Sequence, residues 1–330
     1  MTLKMAILAL LVAVLAVSGC TTTGTDTQKV YHVGVLSGLN FVADITDGLK
    51  ERMTELGYVE GQNIVYDVQK TDFDMAAYRA ALDKFVDEKV DAIVVFPTEA
   101  SMEAKAATNG TGIPVVFTFA LIEGMGIVDS IREPGGNITG VRYPGPDIAL
   151  QRFEIMRELA PQAKSMLVPY QRGYPIVTPQ LEMLRQAAEE AGVTLIEVPA
   201  DDAADLQAQL ESLEANGTAV DAVLIIVEPL AVTYDAFEVM GRFAYERHLP
   251  IGGALMKAGN YSAIFGVNVN NVAVGRQTAP LVDKVLRGVP AGTIPVVSAE
   301  SFLQIDYTAA RGQGVDIPEG LLARADEVIR

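Results

Sequence analysis

The sequence predicts an α/β protein with two similar, doubly wound parallel-sheet lobes joined by a three-crossing hinge. Short apolar runs such as Ala92–Phe96 lack the alternation of half-exposed strands, and are typical of strands covered on both faces. They alternate with amphipathic helical segments, which favours a parallel sheet with right-handed crossovers. The same order of segments returns after about 130 residues, which indicates a twofold duplication rather than a solenoid.

The first half of this pattern starts after residue 29. Segment 44–56 has apolar residues at helical spacing and stops at Gly57, a glycine of the kind that terminates helices. The predicted strands are 30–36, 63–68, 92–96 and 114–119, and the predicted helices are 44–56, 75–88 and 101–108.

The second half repeats the order. Glu190 and Gly192 precede a strand, as Glu55 and Gly57 do in the first half, and a Val-Asp-Ala tripeptide opens the third strand of both halves. The predicted strands are 165–169, 194–198, 222–227 and 249–252, and the predicted helices are 179–191, 204–215 and 234–247.

Three extended stretches have the composition of interlobe crossings. Residues 135–145 are rich in turn-forming residues, and residues 264–269 precede a predicted helix over 272–286. Residues 295–305 lead into the C-terminal segment. Three crossings between two similar lobes predict a hinged, two-lobed clam.

The N-terminus has the pattern of a secretory signal. Lys4 precedes an unbroken apolar run over residues 5–17, and small residues precede Cys20. The run is shorter than the roughly 20 residues that a spanning helix needs. Residues 17–20 resemble a lipobox, in which Cys20 is lipidated; an uncleaved anchor helix is the alternative. The predicted division is a lipoprotein signal peptide (1–19), a flexible tether (20–29), an N-terminal lobe (30–141 plus 267–297) and a C-terminal lobe (142–266 plus 298–330).

Composition excludes several functional classes. A net charge of −17 argues against nucleic acid, whose phosphates need Lys and Arg to neutralise them. His32 and His248 have no neighbouring His or Cys at metal-ligand spacing, so no metal site is predicted. The single cysteine allows no disulfide. Phosphate-loop and G-x-S-x-G patterns are absent from the sequence, so we expect no cofactor, no catalytic residues and no enzyme.

Several motifs closely resemble the ABC-transporter substrate-binding proteins of the tryptophan/tyrosine-uptake type. The most specific motif is EPGGNITGV at 133–141, and ELGYVEGQN at 55–63 is another. Shorter matches lie at 92–95, 113–118, 154–161, 266–268, 275–279 and 294–295. The resemblance implies a type I periplasmic binding protein fold, lipid anchoring outside the cytoplasm, and import with an ABC permease and its ATPase. We expect a monomer.

Candidate ligand-binding residues follow from position. Ligands of parallel sheets bind at the carboxyl ends of the strands, and closure of two facing lobes buries them. The residues predicted from these loops are Ser37, Gly38, Asn40, Phe41, Thr98, Glu99, Ser101, Thr118, Tyr170, Arg172, Tyr174 and Glu228.

Most of these residues also have a structural interpretation. Thr98 and Ser101 either cap a helix or help its free N–H groups to hold a ligand carboxylate. Phe41 is either a core residue or a stacking platform. Arg172 either grips a carboxylate or is a solvated loop residue. Both interpretations stay open at this point.

The acidic candidates and their neighbours bear on the ligand. Glu99, Glu123 and Glu228 either bind a cationic amine or are charges near helix N-termini. Amino-acid-binding members of the family carry Thr-Asp-Pro after the fourth strand and Ser-Asp in the second lobe. The corresponding stretches here are 121–123 (LIE) and 252–255 (GGAL). An aromatic amino acid is therefore one candidate, and an apolar or less cationic molecule is another.

The leading hypothesis is a receptor that hands a small molecule to an ABC permease by hinge closure. The alternatives are a ligand-sensing lipoprotein that docks on a membrane receptor and a structural lipoprotein.

Overall fold

A computed structural model describes residues 29–330, so the predicted signal peptide, Cys20 and residues 20–28 of the tether lie outside the described residues. The strands are β1 (Tyr31–Ser37), β2 (Ile64–Lys70), β3 (Ala92–Phe96), β4 (Val115–Ala120), β5 (Ile138–Arg142), β6 (Ser165–Gln171), β7 (Thr194–Ala200), β8 (Ala222–Leu224), β9 (Ile251–Gly252), β10 (Lys257–Ala258), β11 (Tyr261–Ser262), β12 (Phe265–Val269), β13 (Val297–Ser298), β14 (Ser301–Asp306) and β15 (Glu327–Ile329). The helices are α1 (Ile45–Glu55), α2 (Met75–Asp87), α3 (Thr98–Ala107), α4 (Gly145–Leu159), α5 (Val177–Ala191), α6 (Ala203–Ala215), α7 (Tyr234–Glu246), α8 (Asn271–Leu286), α9 (Tyr307–Gly312) and α10 (Glu319–Arg324).

The first lobe is built on a six-stranded sheet in the order β13-β5-β4-β3-β1-β2, with every neighbouring pair parallel. Side chains of α2 and α3 pack on one face, and those of α1 and α8 pack on the other. The backbones of α1 and α8 approach so closely that a Cβ at Gly275 would overlap the carbonyl oxygen of Ile45. Burial of Leu49 and Met53 depends on this contact.

The second lobe contains a four-stranded parallel sheet in the order β7-β6-β8-β9 and a three-stranded sheet in the order β12-β14-β15. A bridge between Gly253 and Gly266 joins the two sheets beside β9. Helices α6 and α7 cover one face of the four-stranded sheet, and α4 and α5 cover the other. The largest cluster of buried side chains is continuous across both lobes.

Equivalent residues of the two halves have equivalent contacts. The Asp91 carboxylate accepts the backbone N–H of His32 at 2.8 Å, at the start of β1. The Asp221 carboxylate likewise accepts the N–H groups of Lys164 and Ser165, at 2.8 and 2.9 Å, at the start of β6. Each aspartate thus ties the start of one strand to the next strand of the sheet.

Three connections link the lobes. The first follows β5, the second lies between β12 and α8, and the third lies between β13 and β14. The predicted lobe limits stay a prediction, but the pairings bear on them. Because β12 pairs with β14 of the second lobe over residues 265–269, we propose that the second crossing follows Val269 and does not precede residue 267. Because Ser298 pairs with Arg142, the third crossing follows Ser298.

The predicted fold class is confirmed. Local differences have local causes. The third strand of the second half ends at Leu224 rather than 227, because the chain turns toward Glu228, whose carboxylate binds backbone N–H groups. Helix α3 begins at Thr98 rather than 101. The stretch 295–305 divides into β13 and β14, which belong to different sheets.

Candidate functional site

The carboxyl ends of the first-lobe strands β1, β3 and β4 face the loops that follow β6 and β8 of the second lobe. One direct contact places the facing loops together, because the Tyr174 hydroxyl of the second lobe donates to Glu99 of the first at 2.6 Å. Beside the first crossing, the rings of Phe119 and Tyr143 meet edge to face with centroids 4.8 Å apart. The space between these loops is the candidate site.

The loop after β1 is held close to β3. The Gly38 N–H donates to the Phe96 carbonyl at 2.8 Å, and the Gly38 carbonyl accepts the buried Tyr78 hydroxyl at 2.7 Å. Ser37 is 1% exposed, and its Oγ has no hydrogen-bond partner within residues 29–330. A polar atom in that state is a candidate for a ligand contact.

Asn40 and Phe41 lie further along this loop and are exposed, Phe41 with 69% of its surface. Phe41 is therefore not a core residue. Its position at the end of the sheet that faces the second lobe leaves its predicted stacking role open. The backbone N–H of Asn40 donates to Asp72 at 3.3 Å.

Three predicted hydroxyl residues are buried and fix the loops around them. The Leu121 N–H donates to Thr98 Oγ1 at 3.0 Å, which ties the loop after β4 to α3. The Ser101 hydroxyl donates to the Pro97 carbonyl at 2.6 Å, and Thr118 accepts from Thr278 of α8 at 2.9 Å. These bonds are structural, and ligand contact by the three residues stays a prediction.

Glu99 and Tyr174 are the predicted residues that meet across the lobes. Both are half-buried. Burial, and next the nearby Glu99 carboxylate, raise the pKa of Tyr174, so its hydroxyl stays protonated and remains a donor. The Tyr174 phenol and the Glu99 carboxylate therefore meet on one side of the space.

The remaining second-lobe candidates bind within their own lobe. The buried Glu228 carboxylate accepts the N–H groups of Gln171, Leu230 and Ala231 at 3.0, 2.8 and 2.5 Å. Burial raises its pKa, and these bonds oppose the rise. This arrangement fixes the loop rather than presenting a free charge.

The other two candidate ligand-binding residues of the second lobe are Arg172 and Tyr170. Arg172 is exposed and pairs with Asp201 and Asp205 at 2.9 and 3.0 Å. The Tyr170 hydroxyl donates to Glu197 on the neighbouring strand at 3.3 Å. Ligand contact by either residue stays a prediction.

Sequence reasoning did not select as ligand contacts a group of residues beside the crossings, although Phe119 lies at a predicted strand end and Tyr143 in the predicted first crossing. Phe119 has a φ of +49°, in the left-handed region, where the register of β4 and β5 shifts. Strained backbone of this kind is concentrated at functional sites. The Tyr143 hydroxyl donates to Asn268 Oδ1 at 2.9 Å. An aromatic residue at the end of a predicted strand was the only available signal.

Arg152 of α4 completes this group. It is 1% exposed and donates to the carbonyls of Val267 (3.0 and 2.7 Å) and Ile225 (3.0 Å) and to Asn268 Oδ1 (3.2 Å). Within residues 29–330 its partners are neutral oxygens only. Burial lowers its pKa to about 10. Arg152 thus joins β8, β12 and, through Asn268 and Tyr143, the first crossing.

The described residues contain no cluster of His, Cys, Asp or Glu able to hold a metal ion. Over the same residues, every helix falls short of the length and apolarity needed to cross a bilayer. The buried side chains of Thr98, Ser101 and Glu228 fix the loops of the site, whereas Ser37 Oγ has no partner within residues 29–330.

The family model described as ABC transporter substrate binding protein matches residues 35–329. The chain belongs to the ABC transporter substrate-binding protein family. This match confirms the resemblance found in the sequence.

Individual relatives of this substrate-binding protein share about a quarter of its residues. The tyrosine-binding protein of Clostridioides difficile (strain R20291) is 25% identical over 281 residues, which are 84% of this chain and 78% of the relative. A solved conserved domain protein from Vibrio cholerae O1 superposes with a TM-score of 0.76 at 28% identity, covering 91% of this chain and all of that one. The ABC domain from Streptococcus pneumonia in complex with L-Trp gives a TM-score of 0.77 at 22% identity, with the same coverage.

Proposed function

We propose that this protein is the extracytoplasmic substrate-binding lipoprotein of an ABC importer and captures a small molecule between its two hinged lobes. The observation that carries the proposal is the meeting of Glu99 and Tyr174, from opposite lobes, at the carboxyl ends of both parallel sheets. Closure there buries a ligand and presents a single closed form to a permease.

We propose an aromatic amino acid as the leading ligand class. The support is the tyrosine-binding relative and the L-Trp complex of the similar fold, together with chemistry at the site. The half-buried Phe119 ring, packed on the buried Tyr143 ring, provides an aromatic surface, and the Glu99 carboxylate is an acceptor for an ammonium group. Glu99 supplies an acid at a site where the family's usual acidic motifs are missing.

The partners follow from the family. A permease and its ATPase would accept the ligand from a monomeric receptor. Anchoring through a lipid on Cys20 is part of the proposal, and Cys20 lies outside the described residues. The acidic surface expected from the net charge of −17 argues against additional binding to anionic lipid.

The test is a thermal-unfolding screen of the full chain in mild detergent, after ligand has been stripped by unfolding and refolding. The panel contains Trp, Tyr, Phe, aliphatic amino acids, sugars, nucleosides and small carboxylates. A ligand at one hundred times its dissociation constant adds about 2.7 kcal/mol to the free energy of unfolding, which raises the Tm by several degrees.

We expect Trp, Tyr or Phe to stabilise the protein. Tyramine, which lacks the carboxylate, and 3-(4-hydroxyphenyl)propionate, which lacks the ammonium, are controls that should stabilise it less. Stabilisation by a sugar or nucleoside alone would replace the ligand class but keep the receptor function. A refolded protein that responds to none of the panel would contradict the proposed function.

A further inference from the structure

The hydrogen bond between Tyr174 and Glu99 joins two well-ordered segments. Glu99 lies in the first turn of α3, whose start is fixed by the bond from Ser101 to Pro97. Tyr174 lies in a turn in which its own N–H donates to Gln171 at 3.3 Å and its carbonyl accepts from Val177 at 3.1 Å. Because neither segment is a free loop, the bond depends on the distance between the lobes.

The bond also lies far from the hinge. Strands β5 and β12 lead into crossings. In the first sheet β4 lies between β5 and β3, and in the second lobe β9 and β8 lie between β12 and β6. Adjacent strands are about 4.8 Å apart, so the lever arm is roughly 10 Å or more. Opening the lobes by about 10° therefore lengthens the distance between the two oxygens by about 2 Å. The hydrogen bond, which is 2.6 Å long in the structure, is then broken.

The contacts close to the hinge behave differently. The bond from Tyr143 to Asn268 and the hydrogen bonds of Arg152 lie at the crossings themselves. Their lever arm is short, so a rotation about the crossings changes them little. The bond from Tyr174 to Glu99 is thus the interlobe side-chain contact of the described residues that best distinguishes a closed from an open arrangement.

We propose that the hydrogen bond from Tyr174 to Glu99 is a closure latch, which stabilises the closed arrangement of the lobes before any ligand binds. The proposal rests on the proposed function only for its biological meaning, since the latch acts in the ligand-free protein. The acceptor is a carboxylate, and hydrogen bonds to charged groups are the stronger ones. Loss of the hydroxyl should lower the ratio of closed to open molecules about tenfold.

The latch is tested by pulsed electron spin resonance on the ligand-free full chain. Cys20→Ser removes the only native thiol, and Asp83→Cys in α2 with Ser212→Cys in α6 places one spin label on each lobe at exposed positions. Distance distributions are compared for this parent, Tyr174→Phe and Tyr170→Phe. The last variant is the matched control, because it loses a hydroxyl whose bond stays within one lobe.

We expect Tyr174→Phe to shift the population toward longer distances and Tyr170→Phe to leave it unchanged. Glu99→Gln should give a smaller shift, because its amide oxygen still accepts. The double variant should shift no further than Tyr174→Phe alone. An unchanged distribution in Tyr174→Phe, or an equal shift in Tyr170→Phe, would overturn the latch.

These measurements separate the two proposals. No ligand is added, so a failed ligand screen leaves the latch result intact. A failed latch with a positive ligand screen would leave the receptor function standing.

Discussion

Replacing Arg152 with methionine tests whether a buried cation without a counterion stabilises the crossings. The variant keeps much of the aliphatic volume but leaves the Val267 and Ile225 carbonyls without the donor that Arg152 supplies. A buried acceptor that loses its donor costs about 1–3 kcal/mol, so the two carbonyls give about 2–6 kcal/mol. Removing a buried guanidinium offsets part of this, because its desolvation opposes folding.

We therefore expect a net loss of about 2–4 kcal/mol, which corresponds to a fall in Tm of roughly 3–6 °C for a chain of this size. Urea unfolding followed by circular dichroism measures the free energy directly. Arg157→Met is the matched control, because Arg157 lies on the same helix and is exposed. We expect it to change the stability by less than about 0.5 kcal/mol.

The result that refutes this reasoning is equal stability of the Arg152 and Arg157 variants. It would mean that desolvation of the Arg152 guanidinium cancels its four hydrogen bonds. A stabilised Arg152→Met would mean that desolvation outweighs them.

Two further substitutions test the loops and the strand ties. Gly38→Ala should destabilise the protein by about 1–3 kcal/mol in urea unfolding, because its Cβ would lie 2.6 Å from a backbone carbonyl oxygen; Gly312→Ala, which meets nothing within 4 Å, should not. Asp221→Asn should flatten acid unfolding, because the backbone N–H of Lys164 is the largest cause that holds the Asp221 pKa below its usual value. That stabilisation is complete above the unfolded pKa of about 3.9 and is lost as the pH falls through the folded pKa, so the variant should lose about 0.5–1.5 kcal/mol at pH 7 and less at pH 2. A variant with an unchanged acid-unfolding profile would contradict the assignment, and Asp83→Asn, at an exposed position, is its control.

The fold class follows from the sequence because burial on both faces leaves a pattern that is visible in one strand at a time. The run Ala92–Phe96 is fully buried, as its composition predicts. The equivalent glycines Gly57 and Gly192 both have positive φ, which explains why the two halves stop their first helices alike.

The contacts within the candidate site could not be predicted from the sequence in the same way. Position at a strand end made Glu99 and Tyr174 candidates, but it did not predict that they meet, because the meeting depends on how two lobes face each other. Arg152 was missed because a charge inside an amphipathic helix resembles a solvated residue until its burial is known. The left-handed φ of Phe119 left no local signal, since the neighbouring strands impose it.

The order in which the chain visits its lobes has a consequence for biosynthesis. Helix α8, which covers the apolar face of α1, and β13, which completes the first sheet, leave the ribosome only after the strands β6–β12 of the second lobe. Until then Leu49 and Met53 lack their partner helix, so the growing chain exposes an apolar surface that is prone to aggregation and that a chaperone can bind. No contiguous piece of the gene encodes a complete lobe. Truncation or exchange of a single lobe of this substrate-binding protein therefore has to cut the chain at more than one place.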